Sequence, residues 1–225
     1  MAQQLNMDRG QRLAIDSARL DWEPSPMTGV WRKKLEREAA ESGQVRSGQV
    51  TSVVRYDADT YFTPHEHPLG EEILVLEGVF SDEYGDYPAG SYLRNPPGSS
   101  HAPFSENGCT ILVKLNQFDA NDRARVCVRP HELVWRPGLV DGLSVMSLHS
   151  HKVTHTALVR WAPGTVFQPH SHPGGEEIFV IEGVFEDEQG HYPAGCWLRN
   201  PPWSRHHPFS KEGCTLLVKV GHIPE

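Results

Sequence analysis

Two stretches of this chain are nearly the same sequence. Residues 64–114 and 169–219 align without a gap, His65 falling on His170 at an offset of 105 positions, and about two-thirds of the aligned positions are identical. That is far above chance, and a repeat decides the architecture before any local propensity does. The match continues upstream: Trp22, Pro24, Gly29 and Leu35 correspond to Trp135, Pro137, Gly142 and Leu148 at an offset of 113, which falls to 105 by Thr51 and Thr156. The first copy therefore carries eight extra residues between Leu35 and Val50. This organisation predicts an arm over 1–20, one unit over 21–120 and a second over 121–225. The boundary falls in the polar, turn-rich stretch Asn116–Arg125.

Each unit reads as β. Glu72–Phe80 is short, apolar and β-branched, and Gly78 interrupts it. Asp82-Glu83-Tyr84-Gly85 and its copy Asp187-Glu188-Gln189-Gly190 have the composition of tight turns. Pro96-Pro97 stops the strand before it, because proline cannot donate to a sheet ladder. Many short strands separated by such turns indicate a sandwich or barrel. Lys33–Ser42 is rich in helix formers, but its counterpart Val145–Val153 is not. The repeat takes precedence, so Val30–Glu36 is expected to be a strand followed by a loop. The mixed charge run Arg32–Glu38 reads as a solvated face. The residues before Asp21 suit a short helix or a loose arm equally well.

Composition removes several function classes. With 29 acidic against 21 basic residues the net charge is −8, which repels a phosphate backbone and argues against nucleic acid as a partner. No stretch approaches the ~20 apolar residues of a membrane helix, and the first ten residues lack a signal-peptide core. The four cysteines, Cys109, Cys127, Cys196 and Cys214, form no Cys-x-x-Cys pair. A cytoplasmic protein with free thiols is the expectation.

The 13 histidines are unevenly placed. His65-x-His67 is followed by Glu71 and, from a separate strand, by His101; the second copy has His170, His172, Glu176 and His206. Residues two apart on a strand share a face, so each His-x-His pair is able to aim into a barrel. Neutral imidazoles with a carboxylate suit zinc, iron, nickel, manganese or copper. Arg94-Asn95 and Arg199-Asn200 are candidates for orienting those ligands. Glu72 and Glu177 are expected to face solvent, and Cys109 and Cys214 to be buried strand residues. No nucleophile–base pair stands out, so no catalytic residue is assigned.

The spacing Gly-x5-His-x-His-x3-Glu-x6-Gly resembles the first cupin motif. Gly164, His170, His172, Glu176 and Gly183 carry all of it, while the first copy has Asp59 in the leading position, then His65, His67, Glu71 and Gly78. Gly90, Pro96, Gly98 and His101 resemble the second motif, as do Gly195, Pro201 and His206. There Trp203 stands where glycine is expected, and Ser105 and Ser210 replace its asparagine. Within the cupins the wording is similar to the ChrR-type cupin domain of an anti-sigma factor. The resemblance implies an all-β bicupin: two cupin barrels (double-stranded β-helix, jelly-roll) in tandem. It also implies one divalent metal per barrel, zinc first among the candidates, held by the four residues named in each copy. It points to a sensor or regulatory protein linked to oxidative-stress transcription control. The family's His-x3-Cys-x2-Cys sigma-binding signature is absent from this chain. The alternative is a metal-dependent dioxygenase acting on a small organic molecule, since an octahedral ion would keep open positions. Expected partners are a small-molecule ligand and, by resemblance alone, a sigma factor, with self-association left open. Beside the third histidine, Gly98, Ser100 and Ala102 become Trp203, Arg205 and His207. The first site is therefore expected to be roomier, and the second narrower, more positive and better suited to an anion.

Overall fold

The computed structural model describes residues 4–39 and 48–224. Its regular structure is almost entirely strand, the exceptions being two three-residue 3-10 turns, Ser17–Arg19 and Pro130–Glu132. No helix among these residues is long and apolar enough to cross a membrane. Contacts divide the chain into two units: residues 1–7 with 20–133, and 8–19 with 134–225.

In the first unit the main sheet runs Val126–Val128, Tyr92–Asn95, Glu71–Asp82, Cys109–Leu115, Val50–Tyr56, Val30–Arg37 and Glu23–Pro24, every pair antiparallel. In the second unit the order is Leu13–Asp16, Cys196–Asn200, Glu176–Asp187, Cys214–Val220, Thr154–Trp161, Leu143–His151 and Arg136–Pro137. The long strand of each unit also serves a second group of short strands, Gly85–Pro88 and Phe104–Ser105 or Gly190–Pro193 and Phe209–Ser210. It does so by bending at a glycine. Gly78 has φ +72°, and a Cβ there would lie 2.2 Å from the Gly108 carbonyl oxygen; at Gly183, also at +72°, the Gly213 oxygen would be 2.0 Å away. No other residue fits both constraints, which is the physical content of the last glycine in the first motif. Ser105 Oγ and Ser210 Oγ tie the bend by donating to the Val79 and Val184 carbonyls at 2.7 and 2.6 Å.

Between the strand layers each unit has its own apolar core. Ile73, Val75, Phe80, Leu93, Ile111 and Val113 fill the first, and Ile178, Val180, Phe185, Leu198 and Leu216 the second. Apolar burial of this kind is the main stabilising term in a fold with few local contacts.

Several expectations change. The segment before Asp21 is neither helix nor loose arm: Leu13–Asp16 is a strand paired with Cys196–Asn200, Leu13 opposite Arg199. The stretch after residue 120 contributes Val126–Val128 to the first unit, Val126 opposite Arg94. These are equivalent positions of the repeat, since Leu13-Ala14-Ile15 and Val126-Cys127-Val128 stand 113 apart, like Trp22 and Trp135. The segment that precedes each repeat therefore closes the sheet of the other. Val30–Arg37 is a strand as the repeat requires, but it is not a solvated face: Leu35 and Glu36 are buried, and Arg32 and Arg37 half-buried. The loop expected after it lies largely outside the described residues.

Candidate metal centres

Each candidate site sits on a small two-stranded ladder. His65–His67 pairs with Ser99–His101, which puts His101 directly opposite His65; His170 stands likewise opposite His206. The turn that returns the chain needs a left-handed residue. Gly98 supplies it at φ +80° and Trp203 at +63°, and each donates its N–H to the carbonyl of the second histidine at 2.9 Å. The glutamate opens the long strand and is held from beside it: Asn95 Nδ2 donates to Glu71 Oε2 at 3.0 Å, and Asn200 Nδ2 to Glu176 Oε2 at 2.9 Å. Asn95 and Asn200 thus hold the candidate glutamates. Arg94 and Arg199 do not: Arg94 pairs with Asp122 at 2.5 Å, and Arg199 donates to the Asp8 carbonyl. Glu72 and Glu177 are buried, not solvated; Glu72 accepts from Tyr92 Oη at 2.6 Å, and Glu177 pairs with His222 Nε2 at 3.0 Å.

In the second unit, ligating atoms of His170, His172, Glu176 and His206 all lie within 4.8 Å of one another. In the first, His65, His67 and His101 form such a group. Glu71 stands beside two of them, its Oε2 3.4 Å from His67 Nε2 and 3.3 Å from His101 Nε2. The ring orientations are set from behind. His65 Nδ1 and His170 Nδ1 face the carbonyls of Thr63 and Gln168 at 3.1 and 3.0 Å, so the proton belongs on Nδ1 and the Nε2 lone pair faces the centre.

The residues fit a divalent cation. His101 Nε2 and His172 Nε2 are closed to water and make no hydrogen bond, although each lies beside a carboxylate. In the second unit His170 Nε2 and His206 Nε2 approach to 3.3 Å. Imidazole nitrogens and a carboxylate that converge this closely call for a shared positive partner, a proton or a cation. The glutamates differ. Burial pushes Glu71 up, beyond what His101 and Asn95 recover, and Asp82 adds a repelling charge. Burial also acts on Glu176, but His172, His206 and Asn200 outweigh it and hold the group down at about 2.

The aspartate at the end of each long strand was read only as a turn residue, and it separates the sites. Asp82 Oδ2 lies 3.1 Å from His101 Nδ1 and backs that ligand directly. Asp187 is taken instead by Arg12, whose guanidinium reaches Asp187 Oδ2 at 2.6 Å, Tyr192 Oη at 2.9 Å and Asn200 Oδ1 at 2.9 Å. His206 Nδ1 is left buried without a hydrogen bond. Strand parity alone could not reveal this, because Arg12 arrives from a segment far away in sequence.

The expectation that Trp203 and Arg205 narrow the second site and charge it is corrected. Trp203 is 60% exposed and Arg205 is exposed, and the His172 side chain is more open than that of His67, 27% against 5%. A cavity of about 480 Å³ opens in the first unit onto His65, His67 and Glu71, and Arg32 and Arg37 are among its walls.

A barrel with three inward histidines and a neighbouring glutamate, present twice, defines a bicupin. The chain belongs to the ChrR cupin-like domain family, whose model matches residues 10–119 and again 123–224. No curated protein sequence matches it significantly. Among solved structures it is similar to a candidate dioxygenase from Nostoc punctiforme, with a TM-score of 0.78 at 16% identity, covering 94% of this chain and 82% of that one. It is also similar to the oxalate decarboxylase of Lactobacillus farciminis in its formate complex, with a TM-score of 0.65 at 13% identity, covering 95% and 86%. At these identities the likeness establishes the fold.

Proposed function

We propose that each barrel holds one divalent metal ion through its three histidines and its glutamate, and that the first barrel presents that ion to a small organic molecule. The observation that carries this reading is the first cavity. It is of ligand size and opens onto His65, His67 and Glu71. A bound ion would supply Lewis acidity or, if redox-active, access to oxygen chemistry. The chain's own part is to hold the ligand rings by Thr63 and Asp82 and the glutamate by Asn95, and to give an incoming molecule apolar walls. Metal-dependent dioxygenation is the chemistry this arrangement suits, and the Nostoc neighbour's description names a dioxygenase. Membership of the ChrR cupin-like family favours a second reading, a metal-dependent regulatory module of the cytoplasm, with zinc as its ion.

Metal analysis of protein purified anaerobically separates them. Iron in the first barrel, with oxygen uptake on adding a substrate, supports the enzyme. Zinc in both barrels without oxygen uptake supports the regulatory module. A chain that takes up no divalent metal in either barrel sinks both.

A further inference from the structure

The two arginines in the wall of the first cavity have no counterpart in the second repeat. Along Val30–Arg37 the alternation of a strand puts Val30 and Arg32 on the inner face. Continued strictly, that alternation would turn Arg37 outward. A bulge intervenes: Lys34 pairs with Ser52 and Glu36 with Thr51, leaving Leu35 as the extra residue. Arg37 then stands opposite Val50 as Arg32 stands opposite Val54, and all four line the cavity. The second unit keeps the bulge, between Ser147 and His149, and the same register. In it the equivalent pairs are Val145 with Val159 and Ser150 with His155. The fold therefore needs neither arginine.

Among the described residues the Nε of each guanidinium also lacks an acceptor. Arg32 Nε and Arg37 Nε are closed to water and make no hydrogen bond. Carboxylates near them are engaged or outward: Glu23 is paired with Lys34 at 2.5 Å, Glu38 accepts from the Gln49 N–H at 3.1 Å, and Glu66 is exposed. Two half-buried cations whose Nε atoms are closed to water, in an otherwise largely apolar pocket of Met27, Phe62 and Ile111, are better accommodated when an anion meets them. A guanidinium fork matches a carboxylate in shape.

From this we propose that the first barrel selects a small organic carboxylate, its acid group held by Arg32 and Arg37 and its apolar body lying toward His65 and His67. The inference rests on the proposed reading only for what lies at the far end of the cavity; the anion site is independent of the metal.

The test uses the full chain, stripped of metal by chelation or reloaded with zinc, and titrated calorimetrically with hexanoate and with its neutral analogue hexanamide. Hexanoate is expected to bind once per chain and about tenfold or more tighter than hexanamide. Arg32→Val with Arg37→Ser, the second repeat's own residues, should abolish that preference while the thermal melt shows the chain still folded. Equal binding of acid and amide by the unaltered chain, or no binding of hexanoate at millimolar concentration, overturns the inference without recourse to a variant. Zinc content is read separately by mass spectrometry. Acid preference in a chain that takes up no zinc keeps the anion site and sinks the metal reading. Zinc uptake without acid preference does the reverse.

Discussion

Removing Arg12 should loosen the second unit and spare the first. Its guanidinium is the partner of Asp187 Oδ2 at 2.6 Å, and the aspartate side chain is fully enclosed while Arg12 is 20% exposed. Truncating one member of a fully buried pair costs about 3–5 kcal/mol, because the other charge is stranded. Two features reduce that here. Asp187 Oδ1 keeps the N–H groups of Gln189 and Gly190 and the hydroxyl of Tyr192, and the exposed part of Arg12 is screened. The expected loss for Arg12→Ala is about 2–3 kcal/mol, close to a charged hydrogen bond with an unpaired acceptor left behind. Hydrogen exchange followed by mass spectrometry reads it locally. Amides of Ile178–Val180 should exchange about 30- to 150-fold faster, that energy converted at RT, while those of Ile73–Val75 stay unchanged. Adding Asp187→Asn should recover most of the loss, since an amide tolerates the vacated position better than a charge. A change below about fivefold, or equal acceleration in both segments, would refute the reasoning.

Single substitutions of His65 and of His170 to Ala should each lower bound zinc by one ion per chain, measured by mass spectrometry, while His131→Ala should lower it by none. Gly183→Ala places a Cβ 2.0 Å from the Gly213 oxygen at φ +72° and should cost about 3 kcal/mol in urea unfolding, summing backbone and overpacking terms. Gly164→Ala, at φ +81° with nothing within 4 Å, should cost only the backbone share of about 1 kcal/mol. Burial pushes Cys109, Cys196 and Cys214 up to about 11, so the unfolded chain loses these protons first. Stability should therefore fall as pH rises from the ordinary thiol range, about 8.5, toward 11, and a flat profile there would contradict the buried thiols. Cys127, the exposed one, should be the first to react with a thiol reagent under native conditions.

The candidate ligands were legible because a metal site needs particular atoms at particular spacings and the repeat prints those spacings twice. Asp59 in the leading glycine position also becomes intelligible: it holds φ +57°, a conformation that aspartate tolerates better than most residues. What the sequence concealed has one physical cause. Polarity in a sequence suggests solvent, yet strands closed on both faces bury Glu72, Glu177 and Arg199 with partners supplied from elsewhere. The Arg32–Glu38 run misled for the same reason, and the bulge at Leu35 hid the shared face of Arg32 and Arg37 from a simple count of two.

The exchange of edge strands bears on how such a chain divides. Each repeat, taken alone, would carry a strand that its own sheet does not use and lack the one that its sheet requires. A half-chain of residues 121–225 would find that strand only on a second copy of itself, and two halves trading segments would complete both sheets. In the single chain each half completes the other's sheet, and the two differ within that plan: one has Arg32 and Arg37 in its wall, the other the Arg12–Asp187 clamp.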